Sequence, residues 1–190
     1  SALPEDPQGV TDDDVAKSGK CRPCGALAAG ETAGRRLTDG KVAAGAKIDV
    51  RDKAQRTPLL AATRANAVDA ARLLIEAGAN VNAKDNIRDT PFLYAGAEGR
   101  LEILRMTLRA GANLKDTNRY GGNALIPACH HGHPETVREL LKTDIDIDHI
   151  NRLNWTALLE TIILSDGGPT HQDILAQLIA AGANVNIADG

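Results

Sequence analysis

Four short phrases recur at a fixed interval, and that interval constrains the fold more than any other property of the chain. Thr57-Pro58-Leu59-Leu60, Thr90-Pro91-Phe92-Leu93, Asn123-Ala124-Leu125-Ile126 and Thr156-Ala157-Leu158-Leu159 begin 33 residues apart. Gly45-Ala46, Gly78-Ala79, Gly111-Ala112 and, displaced, Gly182-Ala183 keep the same phase, as do Asp52, Asp85, Asn118 and Asn151. Asp189 follows Asn151 by 38 residues, so the fourth unit carries five extra residues, in Ser165-Asp166-Gly167-Gly168-Pro169. A unit of this length cannot bury an apolar face alone, so neighbouring units must stack.

Each recurring element has a local physical role. Thr and Asn are good helix N-caps, and Pro suits the first helical position. Gly45, Gly78, Gly111 and Gly182 fall where a second helix must stop, in the left-handed conformation that Gly adopts cheaply. Asp144 stands at that place in the third unit, which predicts a slightly strained left-handed turn there. Between cap and stop lies room for two short helices. The first turns Leu59, Phe92, Leu125 and Leu158 inward, beside small Ala62, Ala95, Ala128 and Thr161. The second carries a stripe of Ala70, Ala71, Leu74 and Ile75, then Ile103, Leu104 and Leu108. Val137, Leu140 and Leu141, then Ile174, Leu175, Leu178 and Ile179, continue it. Small inward residues let helices approach closely, which agrees with an aromatic content of only 2%.

Charge excludes some partners. Net charge is −3 with both signs interspersed, so no basic footprint for nucleic acid or an anionic membrane exists. No run approaches the roughly eighteen apolar residues of a spanning helix. Ser1 to Lys20 is polar and acidic without an apolar signal core, as expected of a chain without a secretory signal or with one already removed.

These units resemble the ankyrin repeat family, whose pattern runs Asp, two variable residues, Gly, one variable residue, Thr-Pro-Leu, and ends in Gly-Ala-Asp-Val-Asn. Gly78-Ala79-Asn80-Val81-Asn82 and Gly182-Ala183-Asn184-Val185-Asn186 match that ending closely. Asn118-Arg119-Tyr120-Gly121-Gly122 and Ser165-Asp166-Gly167-Gly168-Pro169 are further similar to a bacterial subgroup of exported ankyrin proteins. The resemblance implies an all-α solenoid of helix-turn-helix units with hairpin tips. Residues 1–24 are then a polar extension with a CxxC, and 25–190 the repeat array. Its units start near 25, 52, 85, 118 and 151, the first is degenerate, and a next unit would open at 189. Such arrays normally end in a polar capping repeat. The expectation is therefore that the sequence is truncated here or that the last helix pair is covered by something else, with a monomer or a dimer through that face as the two states.

The family also implies where a partner protein sits: the concave face, made by hairpin tips and first helices. The positions that vary there are Arg56 and Arg64, then Ile87, Asp89 and Glu98. Arg119, Tyr120, His130 and His131 follow, and last Arg152 and Trp155. Trp, Tyr and Arg dominate binding hot spots, because they bury much area with few torsions to freeze. The competing reading is that these are solvated tips, with Trp155 tucked against the neighbouring hairpin.

Three clusters suggest chemistry. Cys129-His130-His131-Gly132-His133 has metal-ligand residue types, yet in phase Cys129 points inward and Gly132-His133 forms the inter-helix turn. Asp144-Ile145-Asp146-Ile147-Asp148 resembles a calcium loop but lacks the required Gly and Glu, since His149 and Trp155 stand there. Cys21-Arg22-Pro23-Cys24 has the spacing of a redox or zinc half-site, but no βαβ pattern precedes it and no second Cys or His pair lies near. The simpler expectation is an ordinary N-terminal turn, in which Cys21 and Cys24 could form a local disulfide in an oxidising compartment. No phosphate-cradling or nucleophile motif is present. The expected function is protein binding without catalysis, cofactor or metal, in the periplasm or otherwise the cytoplasm. Alternatives are a periplasmic immunity or inhibitor protein for a toxin, or an oxidative-stress accessory using Cys21 and Cys24 as a redox or metal-binding site.

Overall fold

The computed structural model describes residues 47–188. Thr57, Thr90 and Thr156 are extended and accept, through Oγ1, the N–H groups of Leu60 (3.3 Å), Leu93 (3.1 Å) and Leu159 (3.3 Å). Asn123 does the same for Leu125 and Ile126 at 3.1 and 3.4 Å. These caps open α1 (Pro58–Arg64), α3 (Pro91–Ala97), α5 (Leu125–His130) and α7 (Ala157–Ile163). A tight turn follows each, and the chain returns as α2 (Val68–Glu76), α4 (Leu101–Arg109), α6 (Pro134–Leu140) and α8 (Pro169–Ala180). None of these return helices has a side-chain N-cap, so packing of an apolar face supplies most of their stability.

The helices form two rows. Each first helix packs on its own return helix and on the first helices of adjoining units; the return helices do likewise. Between the rows lies one continuous core, containing Leu59, Phe92, Leu125 and Leu158 with Ala71, Ile103, Leu104, Val137, Leu140, Ile174 and Leu178. The small partners Ala62, Ala95, Ala128 and Thr161 are buried as expected. Gly96 shows why small residues are needed: a Cβ there would lie 3.0 Å from that of Ala124 on the next unit.

Gly78, Gly111 and Gly182 take φ of 87°, 84° and 93° and close their helices. The N–H of Ala79 reaches Leu74 O and that of Gly78 reaches Ile75 O, both at 2.9 Å, a Schellman arrangement. Asp144, expected in the same conformation, is not left-handed. There α6 winds tighter instead: the N–H groups of Lys142 and Thr143 bond three residues back, and Thr143 Oγ1 donates to Leu140 O at 2.6 Å. Two further expectations change. Ile179 is 51% exposed, because no unit packs beyond it among the described residues, and Leu141 is half-buried at the end of α6. Among the described residues the tips contain no strand; they are tight turns.

Successive units are also stitched by polar groups. The N–H groups of Asn80, Asn113 and Asn184 donate to Asp49 (3.1 Å), Asn82 (2.8 Å) and Asp148 (2.8 Å). Lys115 occupies the acceptor position of the third interface, and there Asn123 Nδ2 donates to Asp146 O at 2.8 Å. The five extra residues lie between Leu164 and α8, at the inter-helix turn of the fourth unit.

Candidate functional site

The tips are built around one side chain each. Asp52 Oδ1 accepts the N–H groups of Ala54 and Arg56, both at 2.9 Å. Asp85 does so for Ile87 and Asp89, Asn118 for Tyr120 and Gly122, and Asn151 for Leu153 and Trp155, all between 2.8 and 3.1 Å. Three residues into each turn the backbone becomes left-handed, at Gln55, Arg88, Gly121 and Asn154. Backbone bonds join tip to tip: Asn86 N–H to Ala54 O at 3.1 Å and Arg152 N–H to Tyr120 O at 3.0 Å. The tips are therefore a rigid scaffold that displays the residues between the anchors.

Most of the residues singled out by sequence converge. Arg64 lies over the ring of Tyr94, its guanidinium carbon 4.5 Å from the centroid, and Arg119 lies 4.9 Å over Tyr120. Asp89 feels Arg64, Arg119 and Glu98 together; burial, then the charge of Asp85, pushes its pKa up to about 6, while the two arginines pull it down. First helices and tips thus share one electrostatic neighbourhood. Arg152 donates through Nη1 to Arg119 O at 2.8 Å, and Tyr120 is 41% exposed. Trp155 is half-buried. Arg56 is held within its own tip by Asp52, Nη2 to Oδ2 at 2.8 Å. Ile87 is half-buried, and its N–H serves Asp85.

His130 and His131 lie side by side, ring centroids 4.9 Å apart, and His131 Nδ1–H donates to Ala97 O at 2.7 Å. His131 is exposed, whereas His130 is half-buried with Nδ1 3.8 Å from Glu160 Oε2. Burial, then His131 and His171, lowers the His130 pKa. Cys129 is fully buried and its thiol pKa is pushed up, so it stays protonated and inert. Among the described residues no three His, Cys, Asp or Glu side chains are grouped to hold a metal. Ile145 is buried, and Asp148 is occupied with Asn184, so the alternating Asp run is structural. Cys21 and Cys24 lie outside the described residues.

Two contributors escape the sequence pattern above, Tyr94 and Glu160. Both sit four residues after their capping Thr, where the four units carry Ala61, Tyr94, Pro127 and Glu160. That position differs in every unit and lies one helical turn before Arg64, Ala97, His130 and Ile163, hence on the same helix face.

The family profile described as Ankyrin repeats (3 copies) matches residues 26–118 and 92–189. The chain belongs to the ankyrin repeat family. An ankyrin repeat domain from Acinetobacter baumannii AYE is 53% identical, with a TM-score of 0.80 over 88% of this chain and 84% of that one. The ankyrin repeat protein EF0377 is 39% identical, with a TM-score of 0.77 over 83% of each chain. A search of curated proteins returned no match. Ankyrin repeats are in general protein–protein interaction modules, and no helix among the described residues is long and apolar enough to cross a membrane.

Proposed function

We propose that the chain binds a partner protein through the concave ankyrin face, using the tips and first helices, and performs no chemistry of its own. The observation that supports this most is the register of the face. Position-specific side chains of successive units meet there, Arg64 on Tyr94 and His130 beside Glu160, on a backbone whose anchors repeat. An exposed Tyr120 flanked by Arg119 and Arg152 has hot-spot composition at the centre of that face. The similarity of residues 118–122 and 165–169 to exported bacterial ankyrin proteins supports a periplasmic location.

The test is affinity capture from host extract with wild type and a Tyr120→Ala/Trp155→Ala double variant, both checked for helical content. Capture by wild type and loss by the folded variant supports this face. Retention by the variant moves the site elsewhere on the molecule.

A further inference from the structure

The fourth tip is tied to the first-helix row through a single shielded carboxyl group. Glu160 on α7 is a buried residue. Its Oε1 accepts from Asn151 Nδ2 at 2.6 Å, and Asn151 is the side chain that organises the tip carrying Arg152 and Trp155. Its Oε2 lies 3.8 Å from His130 Nδ1. The corresponding positions of the other described units carry Ala61, Tyr94 and Pro127, so a carboxyl group stands there in the fourth unit alone among them.

The titratable groups around Glu160 come from every element packed on α7. From α5 they are His130, with the buried Cys129 thiol, and His131 behind it. From α8, His171 Nε2–H donates to His130 O at 3.1 Å, with Asp166 Oδ1 3.4 Å from its other ring nitrogen. No arginine or lysine appears among these groups to neutralise an ionised Glu160, and His130 itself is discouraged from charging by burial and by its histidine neighbours.

We propose that the Asn151–Glu160 bond, beside His130, is a proton-controlled latch on the fourth tip, holding the tip when Glu160 is protonated and loosening it when Glu160 ionises. This rests on the reading of tips and first helices as the binding face, and it names how that face is regulated. The protonated carboxyl keeps its carbonyl oxygen for Asn151 and needs no water. An ionised carboxylate this shielded is costly, and swinging toward solvent relieves it at the expense of the Asn151 bond. Burial pushes the Glu160 pKa up to about 7 against the Asn151 bond, which favours the carboxylate and lowers it. The cost of burying the charge outweighs the bond, and the transition falls in the neutral range.

Trp155 is the chain's single tryptophan and sits on that tip, so its fluorescence reports the latch without a partner. The experiment follows Trp155 emission from pH 5 to 9 in wild type, Glu160→Gln and His130→Gln, with far-UV circular dichroism alongside. The expected result is a red shift in wild type centred near pH 7 with unchanged helical signal. Glu160→Gln keeps the acceptor for Asn151 and should give a flat trace. His130→Gln should retain the transition with a displaced midpoint. A flat wild-type trace overturns the latch, as does the same transition persisting in Glu160→Gln. If Glu160→Gln loses helical signal, the tip is read instead by the pH dependence of the Asn151 side-chain amide resonances in wild type; amide shifts without a step near pH 7 then overturn it. None of these outcomes bears on whether a partner binds.

Discussion

Arg64 in one unit lies over the ring of Tyr94 in the next, 4.5 Å from guanidinium carbon to ring centroid. His130 and Glu160, at 3.8 Å, repeat that diagonal two units further along. The seventh residue after one cap therefore meets the fourth after the following cap. On a cation–π contact at a half-exposed site, a double-mutant cycle of Arg64→Ala and Tyr94→Ala should give a coupling of about 0.5–1 kcal/mol. Urea denaturation measures it; coupling near zero would show that the two side chains do not act together.

Glu160 makes stability depend on pH in a direction opposite to most carboxylates. Its folded pKa, pushed to about 7 by burial, lies above the unfolded value near 4.5. The unfolded chain thus releases the proton first, and stability falls as pH rises from about 4.5 through 7. Glu160→Gln should change little at pH 5 and should stabilise by about 1–3 kcal/mol at pH 8. Denaturant midpoints of both proteins at the two pH values decide it.

Asp89 contributes in the same sense, with a folded pKa of about 6. Asp89→Asn should therefore reduce the pH dependence between about pH 4 and 6 while leaving the tip intact, since the Asp85 anchor bonds backbone N–H groups. Difference titration of wild type and variant checks this.

The second tip holds Arg88 at φ of 69°, where the family pattern has Gly and where Gly121 stands in the third tip. A left-handed residue with a Cβ costs about 1–2 kcal/mol, part of which a glycine's greater unfolded-state entropy takes back. Arg88→Gly should stabilise by about 0.5–1 kcal/mol, and Asn154→Gly by less, because Asn tolerates this conformation. Thermal unfolding of the two variants ranks them.

Much of this architecture was legible in the sequence because the physics repeats. The caps at Thr57, Thr90, Asn123 and Thr156, and the stops at Gly78, Gly111 and Gly182, are local and act through the backbone of their own turn. Phase also located the core residues facing both neighbours. It erred at Ile179, which has the right period but no neighbouring unit among the described residues, and at Asp144, where Thr143 offered another way to end a helix. Tyr94 and Glu160 were illegible as residues of the candidate face for a different reason. Their partners lie 30 residues away in the adjoining unit, and only the stacking distance brings them together.

Leu140 is wholly buried between α6 and its neighbours, whereas Leu141 is half-exposed at the helix end. Leu140→Ala should cost about 2–5 kcal/mol, and Leu141→Ala, for which phase alone predicts the same, should cost clearly less. Equal losses would mean that the end of α6 is packed differently.

Partner binding is proposed to reside on the tips and first helices. The direct measurement is the partner's Kd for Arg64→Ala, Tyr120→Ala and Arg152→Ala beside Arg72→Ala and Arg109→Ala on the return helices α2 and α4. A loss of about tenfold or more is expected for at least one variant of the first set, and near-wild-type affinity for both of the second. Loss confined to Arg72 and Arg109 would contradict it and place the partner on the opposite row.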